Sequence, residues 1–164
     1  MAAIVSGNTA LHSGIREITG PNGLLTGADV LARSSDPFRQ QPMLASAIAR
    51  PSSTDELAQI VALCAQRGQR MVVHGGLTGV VGGACADEND IAISLERMAR
   101  IEEINVNDQV AVVQAGVTVE ALQNGVREKG LLPIRAIKKS QKHAIIQPDG
   151  AGGFPGQPDG ATSR

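Results

Sequence analysis

The sequence contains very few aromatic residues: two Phe, no Tyr and no Trp among 164 residues. Proteins that bind single-stranded nucleic acid stack bases on aromatic faces, so this composition disfavours that class of function. An excess of either charge is also missing, since 15 Lys and Arg are balanced by 16 Asp and Glu. The resulting net charge of −1 provides no electrostatic attraction to nucleic acid or to an anionic membrane surface.

Long apolar runs and paired cysteines are absent as well. No run approaches the roughly 18–20 apolar residues of a membrane span, and the first residues lack the basic start of a secretory signal. Cys64 and Cys85 form no CxxC pair, so we expect no structural zinc and a reduced, cytoplasmic protein. Apolar residues still make up 42% of the chain, which is enough for the core of one domain.

The composition changes near Pro133. Residues 1–132 carry ten basic and fourteen acidic residues, whereas residues 133–164 carry five basic and two acidic ones. The latter segment also has five Gly and four Pro in 32 residues and no hydrophobic period, a composition typical of disorder. We therefore predict a domain over 1–132 and a disordered, solvated tail over 133–164, with no role in nucleic-acid binding.

The clearest helix lies near the middle of the domain. Ser53 followed by Glu56 forms a capping box, and apolar residues then recur at helical spacing until Gly68, which suits a left-handed C-terminal position. The spacing predicts a helix over 54–67. Cys64 falls on its apolar stripe and is expected to pack in the core.

Two further helices and several strands follow from the same kind of pattern. Residues 8–18 predict a short first helix, and Thr118 predicts the cap of a last one that ends before Gly130. Gly125 inside that last helix is expected to cost about 1 kcal/mol relative to Ala. Extended segments are expected at 43–49, 70–73 and 90–95, with a hairpin formed by 101–104 and 109–114.

This order of elements predicts an α+β domain rather than regular βαβ alternation. The periodicities place nine residues on inward faces, each contributing about 1.5–3 kcal/mol on burial. They are Leu57, Ile60, Val61, Val72, Val73, Ile91, Ile93, Val112 and Leu122.

A glycine-rich loop is the candidate site. Five glycines occur within residues 74–83 (HGGLTGVVGG), directly after a predicted strand. Glycine permits positive φ and close approach of main-chain N–H groups to a ligand, and successive amides form a concave anion site suited to a pyrophosphate. The loop contains no GK[ST] and no GxGxxG, so it is neither a Walker A nor a Rossmann loop. Taken alone, the pattern leaves a structural turn and phosphate binding both open.

Several motifs in one order resemble a known family. They are RP at 50–51 before the capped helix, GGLTG at 75–79, SLERM at 94–98 and QAGV at 114–117. Over residues 15–132 the chain resembles the first part of the FAD-binding domain of the FAD-linked oxidases and dehydrogenases of the vanillyl-alcohol oxidase type. It is most similar to the branch with glycolate oxidase, D-lactate dehydrogenase and D-2-hydroxyglutarate dehydrogenase. The resemblance implies the first subdomain of a PCMH-type FAD-binding domain, a small mixed sheet with flanking helices.

The resemblance also implies a cofactor site. Main-chain amides of the loop would wrap the FAD pyrophosphate at Gly75, Gly76, Leu77, Thr78 and Gly79. Gly82 and Gly83 would shape the end of the loop, and Pro51 and Gly116 are weaker candidates for the adenine end. Relatives with covalent flavin carry a histidine where this chain has Leu77 or Thr78, so noncovalent FAD is expected. His74 is expected to pack in the loop rather than to attach flavin.

The resemblance does not extend beyond the last helix. Residues 134–164 show neither the family's second flavin loop nor a substrate domain, so we assign no catalytic residue and no metal ligand. A frameshift and a naturally trimmed module are both open explanations. The first functional hypothesis is a truncated FAD-binding module of a flavin-dependent 2-hydroxy-acid dehydrogenase or oxidase, inactive alone and binding FAD weakly. The alternative is a non-catalytic nucleotide-binding or interaction module that pairs with another chain.

Overall fold

The computed structural model describes residues 2–34, 42–79 and 81–131, with side chains from residue 9 onward. The predicted tail over 133–164 therefore lies outside the described residues. The helices are α1 (Ala2–Thr19), α2 (Ala28–Leu31), α3 (Thr54–Gln66) and α4 (Val119–Glu128). The strands are β1 (Leu24–Thr26), β2 (Ala47–Ala49), β3 (Met71–His74), β4 (Ile91–Ser94), β5 (Ile101–Asn105) and β6 (Val110–Val113).

Four strands form one sheet in the order β1-β2-β4-β3. Strands β2, β3 and β4 are parallel, and β1 is antiparallel to β2. Helix α3 connects β2 to β3, while the segment 75–90 connects β3 to its neighbour β4 and forms no helix in its described residues. All four residues of β4 are buried, as expected for a central parallel strand covered on both faces.

The two faces of this sheet carry separate apolar clusters. Helices α1 and α3 pack on one face, where Ile60 and Cys64 meet Ile91 and Ile93 of β4. The other face holds Ala92 of β4, together with residues from β2, α2 and the segment before β2: Ile48, Val30, Met43 and Ala45. The alternation of Ile91, Ala92 and Ile93 between the clusters follows from the two-residue period of a strand.

The hairpin β5–β6 forms a second, two-stranded sheet. Helix α4 packs on one of its faces through Leu122 and Val126, which meet Ile101 and Ile104. A hairpin alone is marginally stable in water, so this helix is what stabilises it.

The predicted helices are confirmed. Ser53 Oγ accepts a hydrogen bond from Glu56 N at 3.2 Å, and Gly68 ends α3 with φ +62°. Thr118 Oγ1 caps α4 by accepting from Ala121 N at 3.2 Å, and Gly130 has φ +74°. Helix α1 starts earlier than the predicted residue 8.

The sequence patterns missed two short elements, β1 and α2. Each has only three or four residues, too few to show a hydrophobic period. Neighbours in space, rather than local propensity, decide that these segments become a strand and a helical turn. Strand β1, for instance, pairs Leu25 with Ile48 of β2.

The prediction of nine core residues was partly wrong. Ile60, Ile91, Ile93 and Leu122 are buried, and Leu57 and Val72 are half-buried. Three valines are exposed instead: Val61, Val73 and Val112.

Each exposed valine has a geometric cause. Val61 lies on the flank of the α3 stripe centred on Ile60, and Val73 is on the edge strand β3. Val112 lies between Ala111 and Val113, which both face α4. Adjacent residues of a strand point to opposite faces, so Val112 faces away from the helix.

Candidate functional site

Three segments of the four-stranded sheet leave it side by side where its parallel strands end. This edge, formed by the carboxyl ends of the strands, is distinct from the outermost strand β3. Strands β2, β4 and β3 end within one residue of each other, since Ala49 pairs with Ile93 and His74 pairs with Ser94. Residues 50–53, 75–83 and 95–98 therefore all follow the carboxyl ends of parallel strands. Ligands of parallel sheets bind in the crevice outside these ends, which makes this edge the candidate site.

The glycine loop leaves this edge directly after His74. Leu77 adopts a left-handed backbone with φ +54°, and Gly82 has φ +79°. A non-glycine residue in this region is uncommon and is strained by roughly 1 kcal/mol or more. Left-handed residues turn successive N–H groups toward a common side, which is the geometry of main-chain anion sites.

The fold itself does not account for three of the loop glycines. Apart from its chain neighbours, a Cβ atom built on Gly75, Gly79 or Gly83 meets no atom of the described residues within 4 Å, and none of the three has the positive φ that favours glycine. Gly82 differs, because its positive φ is a conformational reason for glycine. The open space beside Gly75, Gly79 and Gly83 is available for a group from outside the described residues. These positions fit a loop that admits a ligand close to its main chain.

Gly116 is required for a different reason. A Cβ there would overlap the Leu95 carbonyl, lying 2.8 Å from its carbon and 2.9 Å from Met98 O. Gly116 N also donates to Met98 O at 2.9 Å. Close packing of two main-chain segments therefore accounts for this glycine without a ligand.

Pro51, the other weaker candidate, is less than 2% exposed. It is the second residue after β2 and is buried at the same edge. Pro51 is thus buried and Gly116 half-buried, whereas Gly75 and Gly79 are exposed.

The N-terminus of α3 lies at the same edge and is capped by its own side chains. The Glu56 carboxylate accepts from Ser52 N at 2.7 Å and from Ser52 Oγ at 2.8 Å. These bonds from Ser52 are the main reason that the pKa of Glu56 is lowered. The capping box differs from its usual form, in which Glu reaches the N-cap residue itself. With this helix end satisfied, the glycine loop is the better source of amides for an anion.

Arginine side chains join the segments of this edge. Arg33 and Arg50 both donate to the Glu96 carboxylate, at 2.8 Å and 3.2 Å, and Arg97 donates to Arg50 O at 2.8 Å. The hydrogen bonds from Arg33 are the largest cause of a lowered pKa of Glu96. Arg50 also donates to the Asn22 carbonyl. The network connects the end of β2 with the turn after β4.

The motifs of the sequence thus meet in space. The turn at 95–98 contacts Arg50 through Arg97 and contacts Gly116 through Leu95 and Met98. Sequence reasoning identified these motifs by their order and missed their contacts. The pairing of Arg33 with Glu96, 63 residues apart, has no local signal from which it could be predicted.

Two negative observations concern the described part of the chain. No group of three or more His, Cys, Asp and Glu side chains there could hold a metal ion. None of the helices in the same ranges is long and apolar enough to span a lipid bilayer. His143 lies outside the described residues.

Comparison with known proteins identifies the family. A family model described as an FAD-binding domain matches residues 45–140, a range that includes the glycine loop and extends past the boundary predicted near Pro133. The chain belongs to this family of FAD-binding domains. The family resemblance drawn from the motifs is thereby confirmed.

The similar proteins include several FAD-linked oxidoreductases. D-2-hydroxyglutarate dehydrogenase of Stutzerimonas stutzeri is 32% identical over 123 residues, which cover 74% of this chain and 26% of that protein. The enzyme of the same name from Xanthomonas citri pv. viticola is 38% identical over 86 residues, covering 52% and 18%. The glycolate oxidase protein GlcD of Bacillus subtilis is 29% identical over 116 residues, covering 70% and 25%. The chain thus spans about a quarter or less of the length of these relatives.

Solved structures confirm the expected fold. p-Cresol methylhydroxylase superposes with a TM-score of 0.63 at 19% identity, over 75% of this chain and 25% of that one. Alkyldihydroxyacetonephosphate synthase superposes with a TM-score of 0.64 at 16% identity, over 74% and 25%. The small mixed sheet with flanking helices is that of a PCMH-type FAD-binding domain.

Proposed function

We propose that the glycine loop binds the pyrophosphate of FAD through main-chain N–H groups. The amides belong to Gly75, Gly76, Leu77, Thr78 and Gly79, while Gly82 and Gly83 shape the end of the loop. The observation that carries this proposal is the space beside Gly75, Gly79 and Gly83 that the described residues leave open. Pro51 and Gly116 are weaker members that support the adenine end from beneath.

The chain then serves as the partial FAD-binding module of a flavin-dependent 2-hydroxy-acid dehydrogenase or oxidase. The names of the relatives support this substrate class. When bound, the flavin would supply a hydride acceptor, and the amides of 75–79 would hold its pyrophosphate. None of them is assigned a catalytic role, so the chain alone is expected to be inactive. The two free cysteines support a cytoplasmic location.

The binding is proposed to be noncovalent. Residues 75–79 include no histidine, cysteine or tyrosine that could attach to the flavin ring. His74 lies next to the loop, but it is 2% exposed and its Nε2 lies 2.9 Å from Ala84 O. This imidazole is buried and hydrogen-bonded within the protein, so it is not exposed for attachment to flavin.

The affinity is expected to be weak. A ligand as large as FAD normally has most of its surface enclosed, and the described residues supply the loop wall of such a cleft. Each 1.4 kcal/mol of lost contact lowers affinity about tenfold. We expect a dissociation constant above 1 μM, in the range of about 10–100 μM.

Titration calorimetry of the full chain with FAD tests the proposal. Gly75→Val should lower the affinity at least about tenfold, because its side chain would fill the space reserved for the phosphates. Gly76→Val is expected to abolish binding, because a branched side chain would block the approach of the phosphates. Gly68→Ala is the control: it strains a left-handed glycine with φ +62° at the opposite edge of the sheet and should leave FAD affinity unchanged. Equal binding by the parent and Gly75→Val would refute the loop as the site.

A second candidate function rests on exposed valines in the turn and on the outer face of the hairpin. Val106, Val110 and Val112 are 46%, 53% and 48% exposed, and these apolar side chains suit burial against another chain. They favour the alternative of an interaction module that pairs with a second chain to complete a nucleotide site. Light scattering at increasing protein concentration tests whether the chain pairs with a second copy. A dimer that is lost in Val110→Lys would support pairing, and a monomer at every concentration would exclude pairing with a second copy.

A further inference from the structure

His74 occupies a position between the sheet and the glycine loop. It is the last residue of β3, pairs with Ser94 of β4, and is 2% exposed. Its Nε2 lies 2.9 Å from Ala84 O. Because a carbonyl oxygen only accepts, Nε2 carries the proton and donates it.

This hydrogen bond joins the residue before the loop to the residue after it. Residues 75–83 are thereby closed into a nine-residue ring, anchored to β4 because Leu95 N donates to His74 O at 3.1 Å. The main-chain bond from Cys85 N to Gly82 O at 3.0 Å holds only the far end of the loop. At the near end, the His74 imidazole supplies the bond that spans the loop.

The loop needs such a restraint for two reasons. Glycine residues lose more backbone entropy on ordering than any other residue, and five of them occur here. Leu77 is held at φ +54°, a strained conformation that persists only where the surroundings enforce it. An untied loop would relax away from this geometry.

We propose that His74 is a positioning residue, whose imidazole ties the two ends of the glycine loop so that the amides of 75–79 keep the arrangement that a pyrophosphate needs. The consequence for affinity rests on the proposed FAD function. Burial lowers the pKa of His74, which keeps the ring neutral near pH 7 and leaves Nε2–H available as a donor.

Three variants of the full chain separate this role from general stability. His74→Leu removes the donor, and His74→Gln restores an N–H donor at a similar reach. His12→Leu is the matched control, because His12 is also partly buried and its pKa is also lowered by burial, but it lies on α1. Each variant is first shown to be folded by circular dichroism.

Two readouts are compared at a temperature well below unfolding. Thermolysin cleavage within 75–84, mapped by mass spectrometry, is expected to be about tenfold faster in His74→Leu while cleavage elsewhere is unchanged. The dissociation constant for FAD should rise about tenfold, which corresponds to about 1.4 kcal/mol. His74→Gln should return both values to within about threefold of the parent, a change of roughly 0.7 kcal/mol, and His12→Leu should alter neither.

The outcomes distinguish this inference from the proposed function. Unchanged loop cleavage in His74→Leu, unchanged FAD affinity, or no recovery in His74→Gln would each overturn the role of His74 while FAD binding by the parent stands. If the parent binds no FAD, the proposed function fails, and loop cleavage alone decides whether His74 restrains the loop.

A second measurement applies if His74→Leu does not fold. Nitrogen NMR of the parent should then show a neutral ring protonated at Nε2 at pH 7, and protonation at Nδ1 or at both nitrogens would refute the restraint.

Discussion

Replacing Gly116 by alanine should destabilise the protein far more than the same change at Gly75 of the glycine loop. The added Cβ would overlap the Leu95 carbonyl and lie 2.9 Å from Met98 O. Both neighbours are main-chain groups, so no side-chain rotation can make room. Overpacking of this kind costs about 1–3 kcal/mol, and loss of the 2.9 Å bond from Gly116 N to Met98 O adds about 1 kcal/mol. The expected loss in the free energy of unfolding is therefore about 2–4 kcal/mol.

Urea denaturation followed by far-ultraviolet circular dichroism measures this loss, because the chain has no Trp or Tyr for fluorescence. With a slope of about 2 kcal/mol per molar urea, the midpoint should fall by roughly 1–2 M. Gly75→Ala is the matched control, since its Cβ meets no atom within 4 Å, and its effect should stay within about 0.5 kcal/mol. A Gly116→Ala protein as stable as this control would refute the packing argument.

Three further predictions concern other parts of the chain. Gln109→Gly should raise the free energy of unfolding by roughly 0.5–1 kcal/mol in the same urea assay, because Gln109 has φ +55° and the relief of strain exceeds the entropy cost of glycine; a decrease would contradict this. Gly125→Ala should bring less than the roughly 1 kcal/mol gain of helix propensity, because its Cβ would lie 2.9 Å from Ile101 Cδ1 and this side chain must shift; the same change made in an Ile101→Val background should bring the full gain, and equal gains in the two backgrounds would contradict this. The lowered pKa of Glu96 means that its contribution is present above its ordinary pKa of 4.5 and is lost as pH falls through the folded-state pKa. Glu96→Gln should therefore flatten the loss of stability below about pH 4.5, whereas the exposed Glu120→Gln should not; equal acid profiles would argue against the arginine network.

The sequence by itself determined the local structure and the family. The capping box at Ser53, the cap at Thr118 and the terminal glycines Gly68 and Gly130 all act within a few residues, so their signals are complete in the local sequence. The glycine loop was recognisable for the same reason, since its chemistry belongs to a contiguous main-chain segment. The order of the motifs then sufficed to identify the FAD-binding domain.

Only the tertiary structure decided which residues are buried and which glycines serve the fold. The exposure of Val73 follows from the position of β3 at the sheet edge, and that of Val112 from which hairpin face meets α4. Gly116 and Gly75 look alike in sequence, yet one lies against the main chain of 95–98 and the other borders open space. Likewise, the bond from His74 to Ala84 and the pairing of Arg33 with Glu96 depend on chain segments that meet only after folding. Sequence patterns report propensity and period over short windows, whereas burial and contact depend on the partner that each face finds.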